Sequence, residues 1–368
     1  MKILLQAYLN NNLGDDLMID FVCKRYPEHE FYIPNTNCLK KVACYADNLH
    51  IIRSILPTKD QKTLRFCNKI LSFFKIPKIQ LLLYFLDHTY DVNLELGGSI
   101  FMQVTPRSWI NKIRDSNVII NHCKYNIIVG CNFGPFYKKQ FLTKHRELFK
   151  RYDYITFREY HSYHLFSIYK NIYVYPDIVF NTKFADIIPK RNVIGISVIS
   201  FENAGIKNFT KYYIDGMVAI VNKLTLNCNV ILMAFCKNEG DEDSCIVIKE
   251  KCLRKDAISV FTHENIEKSK ELIITFKAMI CTRFHANILA LTLGIPFVSV
   301  IYSNKIRYML EDISYKGYSW DIMNGKEANI ENIINQLYKV PKFDYTKIKD
   351  SQGHIKCLDR ILKNGSNF

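Results

Sequence analysis

The chain lacks the short motifs that announce the commonest chemistries. It has no Cys-x-x-Cys pair, no Gly-x-Gly-x-x-Gly, no phosphate-binding Walker loop and no Gly-x-Ser-x-Gly elbow. Thiolate zinc sites, dithiol redox centres, dinucleotide fingerprints and serine-hydrolase nucleophiles therefore have no anchor here. No apolar run approaches the ~18 residues of a membrane span, since the longest, Ile288 to Ile301, is interrupted by Gly294-Ile295-Pro296. The N-terminus turns polar at Asn10-Asn11-Asn12, too soon for a signal-peptide apolar region. No repeat of fixed short period is present. Acidic residues are the scarce sign, 35 against 50 Lys and Arg, leaving a formal charge of +15. Those cations are dispersed and match no RNA- or DNA-binding module, so no nucleic-acid partner is expected. Twelve cysteines are scattered singly, several inside apolar runs (Cys123, Cys131, Cys281), where a free thiol packs as a small hydrophobe. That usage points to a reduced, cytoplasmic protein.

What is present is ordinary globular material, with 48% hydrophobic and 23% charged residues over 368 positions. Such a length favours two domains. Short apolar segments alternate with helical spacing throughout. Lys2–Ala7, Asp91–Leu96, Asn126–Cys131, Ile172–Tyr175, Val193–Ile199, Val230–Phe235, Ala257–Phe261, Ala278–Cys281 and Phe297–Ile301 read as buried strands. Asp15–Lys24, Lys138–Lys150, Ser162–Tyr169, Phe209–Leu226, Glu242–Leu253, Ile266–Thr275 and His285–Leu293 read as helices. This alternation predicts an α/β fold with mostly parallel sheets covered on both faces. The polar, proline-containing stretch 181–192 suggests a boundary. We expect a first domain over 1–185, a second over 186–340, and a terminal helix or tail over 341–368.

In open parallel sheets ligands bind beyond the carboxyl ends of strands, and four clusters stand at such places. Asn12-Leu13-Gly14-Asp15 follows the first strand; alone it reads as a helix start, with Asp15 or Asp16 able to cap N–H groups. Gly97-Gly98-Ser99 follows the strand ending at Leu96 and reads equally as a turn or a ligand-approach loop. Arg158, within Thr156 to Ser162, stands at a helix entrance, where the alternative is a surface ion pair with Glu159 or Glu147. Thr282-Arg283-Phe284-His285 opens the apolar helix 285–293, with Thr282 the expected N-cap. Two basic residues there oppose the helix dipole unless an anion binds, which predicts a phosphate or carboxylate site, a solvated arginine being the alternative for Arg283 alone. His161 and His164 share a helical face but lack a third ligand, so no metal site is expected. The basic, aromatic-rich segment 59–86 matches either an anionic-membrane contact or a helix with a solvated basic side.

Taken in order, these clusters resemble the polysaccharide pyruvyl transferases. That family carries Asn-x-Gly-Asp, an Asp followed by a triple-glycine turn, a Gly-Pro loop, Arg-[Asp/Glu]-x-x-Ser, Pro-Asp, Arg-x-His, Ala-x-x-x-Gly-x-Pro and a late lysine. Here they read Asn12-Leu13-Gly14-Asp15, Asp91 with Gly97-Gly98-Ser99, Gly134-Pro135, Arg158-Glu159-Tyr160-His161-Ser162, Pro176-Asp177, Arg283-Phe284-His285, Ala290 to Pro296, and Lys305. Ser99 stands for the third glycine, Phe284 where leucine is usual, and the opening loop lacks a glycine before Asn12.

The resemblance implies two Rossmann-like domains facing a cleft, as in two-domain (GT-B-like) glycosyltransferases. It implies phosphoenolpyruvate as co-substrate, no further cofactor and no metal. The acceptor would be a sugar of a lipid-linked or polymer precursor, converted to a cyclic pyruvate ketal with release of phosphate. Arg158, Arg283 and Lys305 are then the expected donor-binding cations, His285 the proton-transfer residue, and Asp15 the group that orients or deprotonates the hydroxyl. Asn12, Gly14, Gly97 and Gly98 would form the acceptor-side loops. A site at the inner face of the cell membrane follows from such acceptors. Two rivals stand beside this reading: a nucleotide-sugar glycosyltransferase of the same architecture, and a non-catalytic binder of polyanions or membranes, which the net charge permits.

Overall fold

The structure, a computed structural model, describes residues 1–35, 39, 42, 46–52, 89–105, 108–185, 192–203, 206–325 and 327–363. The basic segment 59–86 lies outside these residues.

In the first lobe the described elements are β1 (Lys2–Gln6), α1 (Leu13–Arg25), β2 (Glu30–Pro34), β3 (Leu49–Ile52), β4 (Tyr90–Phe101), α2 (Ser108–His122), β5 (Cys123–Phe133), α3 (Lys139–Phe149), β6 (Tyr154–Phe157), α4 (Tyr160–His164) and β7 (Ile172–Val174). The second lobe contains β8 (Val193–Val198), α5 (Thr210–Leu224), β9 (Asn229–Ala234), α6 (Asp241–Lys251), β10 (Ile258–Thr262), α7 (Ile266–Ile273), β11 (Ala278–Cys281), α8 (Phe284–Thr292), β12 (Phe297–Ile301), α9 (Asn304–Asp312), β13 (Ser319–Asp321) and α10 (Ile330–Leu337). Two further helices, α11 (Tyr345–Lys349) and α12 (Gln352–Leu362), close the described chain.

The strands form two parallel sheets, ordered β3-β2-β1-β4-β5-β6-β7 and β10-β9-β8-β11-β12-β13. In each, the order reverses beside the strand that opens the lobe, which creates a crevice at the carboxyl ends. Central strands such as β11 and β12 are buried at every residue, as apolar runs covered on both faces must be. Helix α8 is buried from Phe284 through Leu291 and apolar nearly all round, so it runs through the interior. It stops where Gly294, at φ +60°, takes the left-handed conformation that ends many helices.

One continuous apolar cluster includes Ile3 and Leu94 of the first sheet and Ile196 and Val300 of the second. A separate, phenylalanine-rich cluster (Phe101, Phe133, Phe149, Phe157, Phe166) lies within the first lobe. The last helix, α12, returns to the first lobe: His354 Nδ1 lies 2.8 Å from Thr156 Oγ1, Cys357 bonds Tyr154, and Arg25 pairs with Asp359 at 3.2 Å.

Several elements depart from expectation. β2, β3, β6, β13, α2, α9 and α10 have no place among the expected strands and helices. The helix expected at Ser162–Tyr169 is α4, a single turn starting at Tyr160. Gly97 and Gly98 stand inside β4 and not beyond its end: both have positive φ, and the register with β5 shifts between Gly98 and Phe101. Paired left-handed glycines let the strand continue through a bulge.

Candidate active site

The N-terminal turn of α1 lies in the crevice of the second lobe. Leu13 donates its N–H to the carbonyl of Phe235 at 3.0 Å, and Asn238 donates to the Asn10 carbonyl at 3.1 Å. Deeper in, Asp16 Oδ2 lies 3.0 Å from His263 Nε2, with both side chains wholly buried. Asn12 caps the helix by accepting the Gly14 N–H at 3.2 Å. Asn12 therefore takes the capping role expected of Asp15 or Asp16, through its Oδ1.

Gly14 is the point of closest approach. A Cβ there would overlap the imidazole of His285, which stands in the first turn of α8 in the other lobe. The two loop glycines are used in the same manner, to bring α1 close: Met18 fills the space over Gly97, and Asp15 Oδ1 lies 3.1 Å from the Cβ position of Gly98. Both glycines thus serve the packing of α1 against β4.

His285 is 9% exposed, and its Nε2 has no hydrogen-bond partner. The nearest acid is Asp177, whose Oδ2 stands 3.7 Å from that nitrogen. The same oxygen accepts a 2.9 Å bond from Arg158 Nη1. Arg158 Nη2 donates at 2.7 Å to Asn132 Oδ1, which also accepts from Ser99 Oγ at 3.0 Å. A polar chain thus runs Ser99–Asn132–Arg158–Asp177–His285 across the interlobe gap. The ring of Phe284 packs 4.1 Å from the guanidinium carbon of Arg158. Arg158 is therefore no surface cation: Glu159 instead caps α4 through the Ser162 N–H, and Glu147 pairs with Lys144. Its Nε alone lacks a partner.

Arg283 departs most from expectation. The N-cap of α8 is Arg283, not Thr282. Its Nε donates to Asp241 at 2.8 Å, Nη1 to Glu239 at 2.6 Å, and Nη2 to Asp241 as well. The N–H groups of Thr282 and Arg283 go to Ser197 Oγ at 2.9 and 3.1 Å. The guanidinium and these two amides are therefore committed within the protein, so Arg283 is a paired cation and not the free one expected here. Lys305 fits the argument better. It stands in the first turn of α9, half-buried and without an ion pair among the described residues; the Tyr302 ring lies 5.8 Å from its Nζ, and its charge is felt at Asp15 and Glu239. Ser303, the N-cap of α9, has a buried hydroxyl without a partner. An unpaired cation and an idle hydroxyl at a helix N-terminus are what an anion needs.

Burial, then the negative charges of Glu239 and Asp16, push the Asp15 carboxyl up to about 7, while Arg158 and Lys305 act against that rise. Burial moves His285 below its ordinary value, although Asp177 opposes the shift. Against its own burial, Asp177 is held well below the usual carboxylate range by His285 and Arg158. At neutral pH the site therefore combines a carboxyl, Asp15, that keeps its proton about half of the time with a neutral imidazole and an ionised Asp177. Sequence reasoning placed Pro176-Asp177 only as a motif and passed over Asn132, Glu239 and the Asp16–His263 bridge. The Asp after proline was the one available signal, since an acid at a strand end faces the crevice.

The family model described as polysaccharide pyruvyl transferase matches residues 5–304. The chain belongs to the polysaccharide pyruvyl transferase family. All of the site residues above lie within that match except Lys305, which follows it directly. No curated protein matches the chain in sequence. Among solved structures, the UDP-GlcNAc 2-epimerase of Neisseria meningitidis, bound to UDP-GlcNAc, is similar at TM-score 0.60 and 11% identity, covering 99% of this chain and 100% of that one. Anabaena HepE, in complex with UDP and glucose, gives TM-score 0.56 at 10% identity, with 100% and 99% covered. The chain thus has the two-lobed, GT-B-like fold of these solved structures. No described helix is long and apolar enough to cross a membrane.

Proposed function

We propose that the protein transfers the pyruvyl group of phosphoenolpyruvate onto two hydroxyls of one sugar in a polysaccharide precursor, forming a cyclic ketal and releasing phosphate. The observation that carries this reading is the convergence of the family's dispersed motifs. Asp15 from residue 12 onward, Arg158, Asp177, His285 and Lys305 meet at one interlobe gap, joined through Gly14 and the Arg158–Asp177 pair.

Phosphoenolpyruvate brings a phosphate and a carboxylate, and the unpaired cation is Lys305, with Arg158 Nε beside the paired Asp177. In this reading Lys305 and the N-terminus of α9 take one anionic group. Arg283 serves instead to fix the 236–241 loop against the start of α8. The chemistry needs a proton on the vinyl carbon and a base for the hydroxyl. Asp15, protonated near neutrality, is the donor in our reading, and His285, neutral and backed by Asp177, is the base; this reverses the assignment made from sequence. The proton from Asp15 joins C3, and C2 becomes oxocarbenium-like. The first sugar oxygen bonds to C2, the C2–O bond to phosphate breaks, and the second oxygen closes the ring. Of the two hydroxyl protons, one restores the acid and the other leaves with phosphate.

We place the reaction in the cytoplasm at the inner face of the membrane, where such precursors are assembled. Phosphate release from phosphoenolpyruvate, measured across lipid-linked galactose, glucose and mannosamine acceptors, tests the proposal. Release of nucleoside diphosphate from a nucleotide sugar, with phosphoenolpyruvate left intact, would overturn it in favour of the glycosyltransferase reading.

A further inference from the structure

A cavity of about 300 Å³ opens where β7 leaves the first sheet, the end of α9 and the crossover from α11 to α12 meet. Arg158 and Asp177 form part of its wall, so it reaches the site described above through their ion pair. Tyr175, Phe180, Met309 and Ile313 supply apolar wall. The rest is polar and nearly balanced in charge: with Arg158 matched by Asp177, Lys347, Lys349 and Lys356 stand against Asp312 and Asp350, one positive charge in excess, and Gln352 adds a neutral amide. Asp312 accepts the Tyr160 N–H at 2.9 Å, which links α9 to the first lobe at this spot.

Balanced charge argues against a strongly ionic ligand, and the density of donors and acceptors argues against a purely apolar one. A pyranose has both properties at once: apolar ring faces and an edge of hydroxyls that give and take hydrogen bonds. The volume is at the small end of the ~300–1,000 Å³ range of ligand pockets, which suits one or two rings and not a polymer.

We propose that this cavity binds a saccharide unit of the acceptor, adjoining the sugar that becomes the ketal, and that the crossover over residues 347–356 selects which glycan is taken. The crossover lies outside the matched residues 5–304, so it can vary between glycans while the reaction centre stays the same. Calling the bound sugar an acceptor rests on the pyruvyl-transfer reading; the binding itself does not.

Saturation-transfer NMR on the full chain, without phosphoenolpyruvate, tests it with methyl galactoside, methyl glucoside, N-acetylmannosamine, lactose and cellobiose as probes. At least one probe should receive saturation. Gln352→Trp, at an exposed rim position, should fill the mouth and weaken that binding at least tenfold, and Lys356→Ala should weaken it less, both with unchanged thermal melting. No binding of any probe, or binding that Gln352→Trp leaves intact, overturns the proposal. Binding that behaves as expected, with no phosphate released in any acceptor assay, would leave the cavity as a saccharide site and remove the pyruvyl-transfer reading instead.

Discussion

Gly14 in the first lobe and His285 in the second occupy adjoining space so closely that a methyl group on the former would lie inside the ring of the latter. The glycine is helical and needs no unusual backbone, so its lack of a side chain serves the neighbour. Gly14→Ala should therefore keep its secondary structure while displacing His285 or prising the lobes apart. Because misplacement of a reacting group by about 1 Å costs on the order of 10²-fold, phosphate release should fall by about that factor with little change in circular dichroism. Retained turnover would show that the contact is incidental.

Asp177 stands between Arg158 and His285, and both of these neighbours are buried. Asp177→Asn leaves the guanidinium with a neutral partner where both side chains are almost wholly buried. Breaking one side of a buried pair costs about 3–5 kcal/mol, to be read from the urea midpoint. Activity should drop further than stability explains, since the base loses its backing acid. A variant as stable as the parent would mean the pair is weaker than its burial implies.

Lys305 and Arg283 should separate in two assays. Lys305 has no ion pair among the described residues and sits half-buried, so Lys305→Ala should raise the KM for phosphoenolpyruvate at least tenfold and leave the melting temperature unchanged. Arg283→Ala exposes the carboxylates of Asp241 and Glu239 to one another and should lower the melting temperature sharply. The opposite pattern would return Arg283 to the donor site.

The pH dependence of kcat/KM has a definite sign. Asp15, raised to about 7, must carry its proton to act as the acid, so the rate should decline as pH rises through about 7. His285, lowered by burial, must be neutral to act as the base, so the acid limb should lie below the ordinary imidazole range. Asp15→Glu should retain a shifted alkaline limb, whereas Asp15→Asn should stop deuterium from D2O entering the pyruvyl methyl group. Incorporation that survives in Asp15→Asn but is lost in His285→Ala would restore the imidazole as the acid.

The architecture was legible because its signal is local. Apolar runs such as 278–281 and 297–301 can hardly be anything but covered strands, and their alternation with helices dictates parallel sheets. The site was legible as a set of positions and illegible as a set of partners. Arg283 looked unpaired because Glu239 and Asp241, more than forty residues away, reach it only through the packing of α6 against β8. Lys305 drew its importance from the family pattern alone until α9, absent from the assigned helices, put it in a first turn. Gly97 and Gly98 looked like a strand exit because a bulge keeps the chain extended where two glycines ordinarily turn it. Burial decides which acid keeps its proton, and neither Asp15 nor His285 advertises its depth in the sequence.

The return of α12 to the first sheet makes the molecule a closed loop in three dimensions, with its last helix stitched to the half where the chain began. A truncation just before residue 345 would strip a wall from that half and uncover Tyr154 and Thr156, although both lie nearly two hundred residues upstream. Any recombination that trades the second lobe for another must carry this returning strap with it or build a substitute.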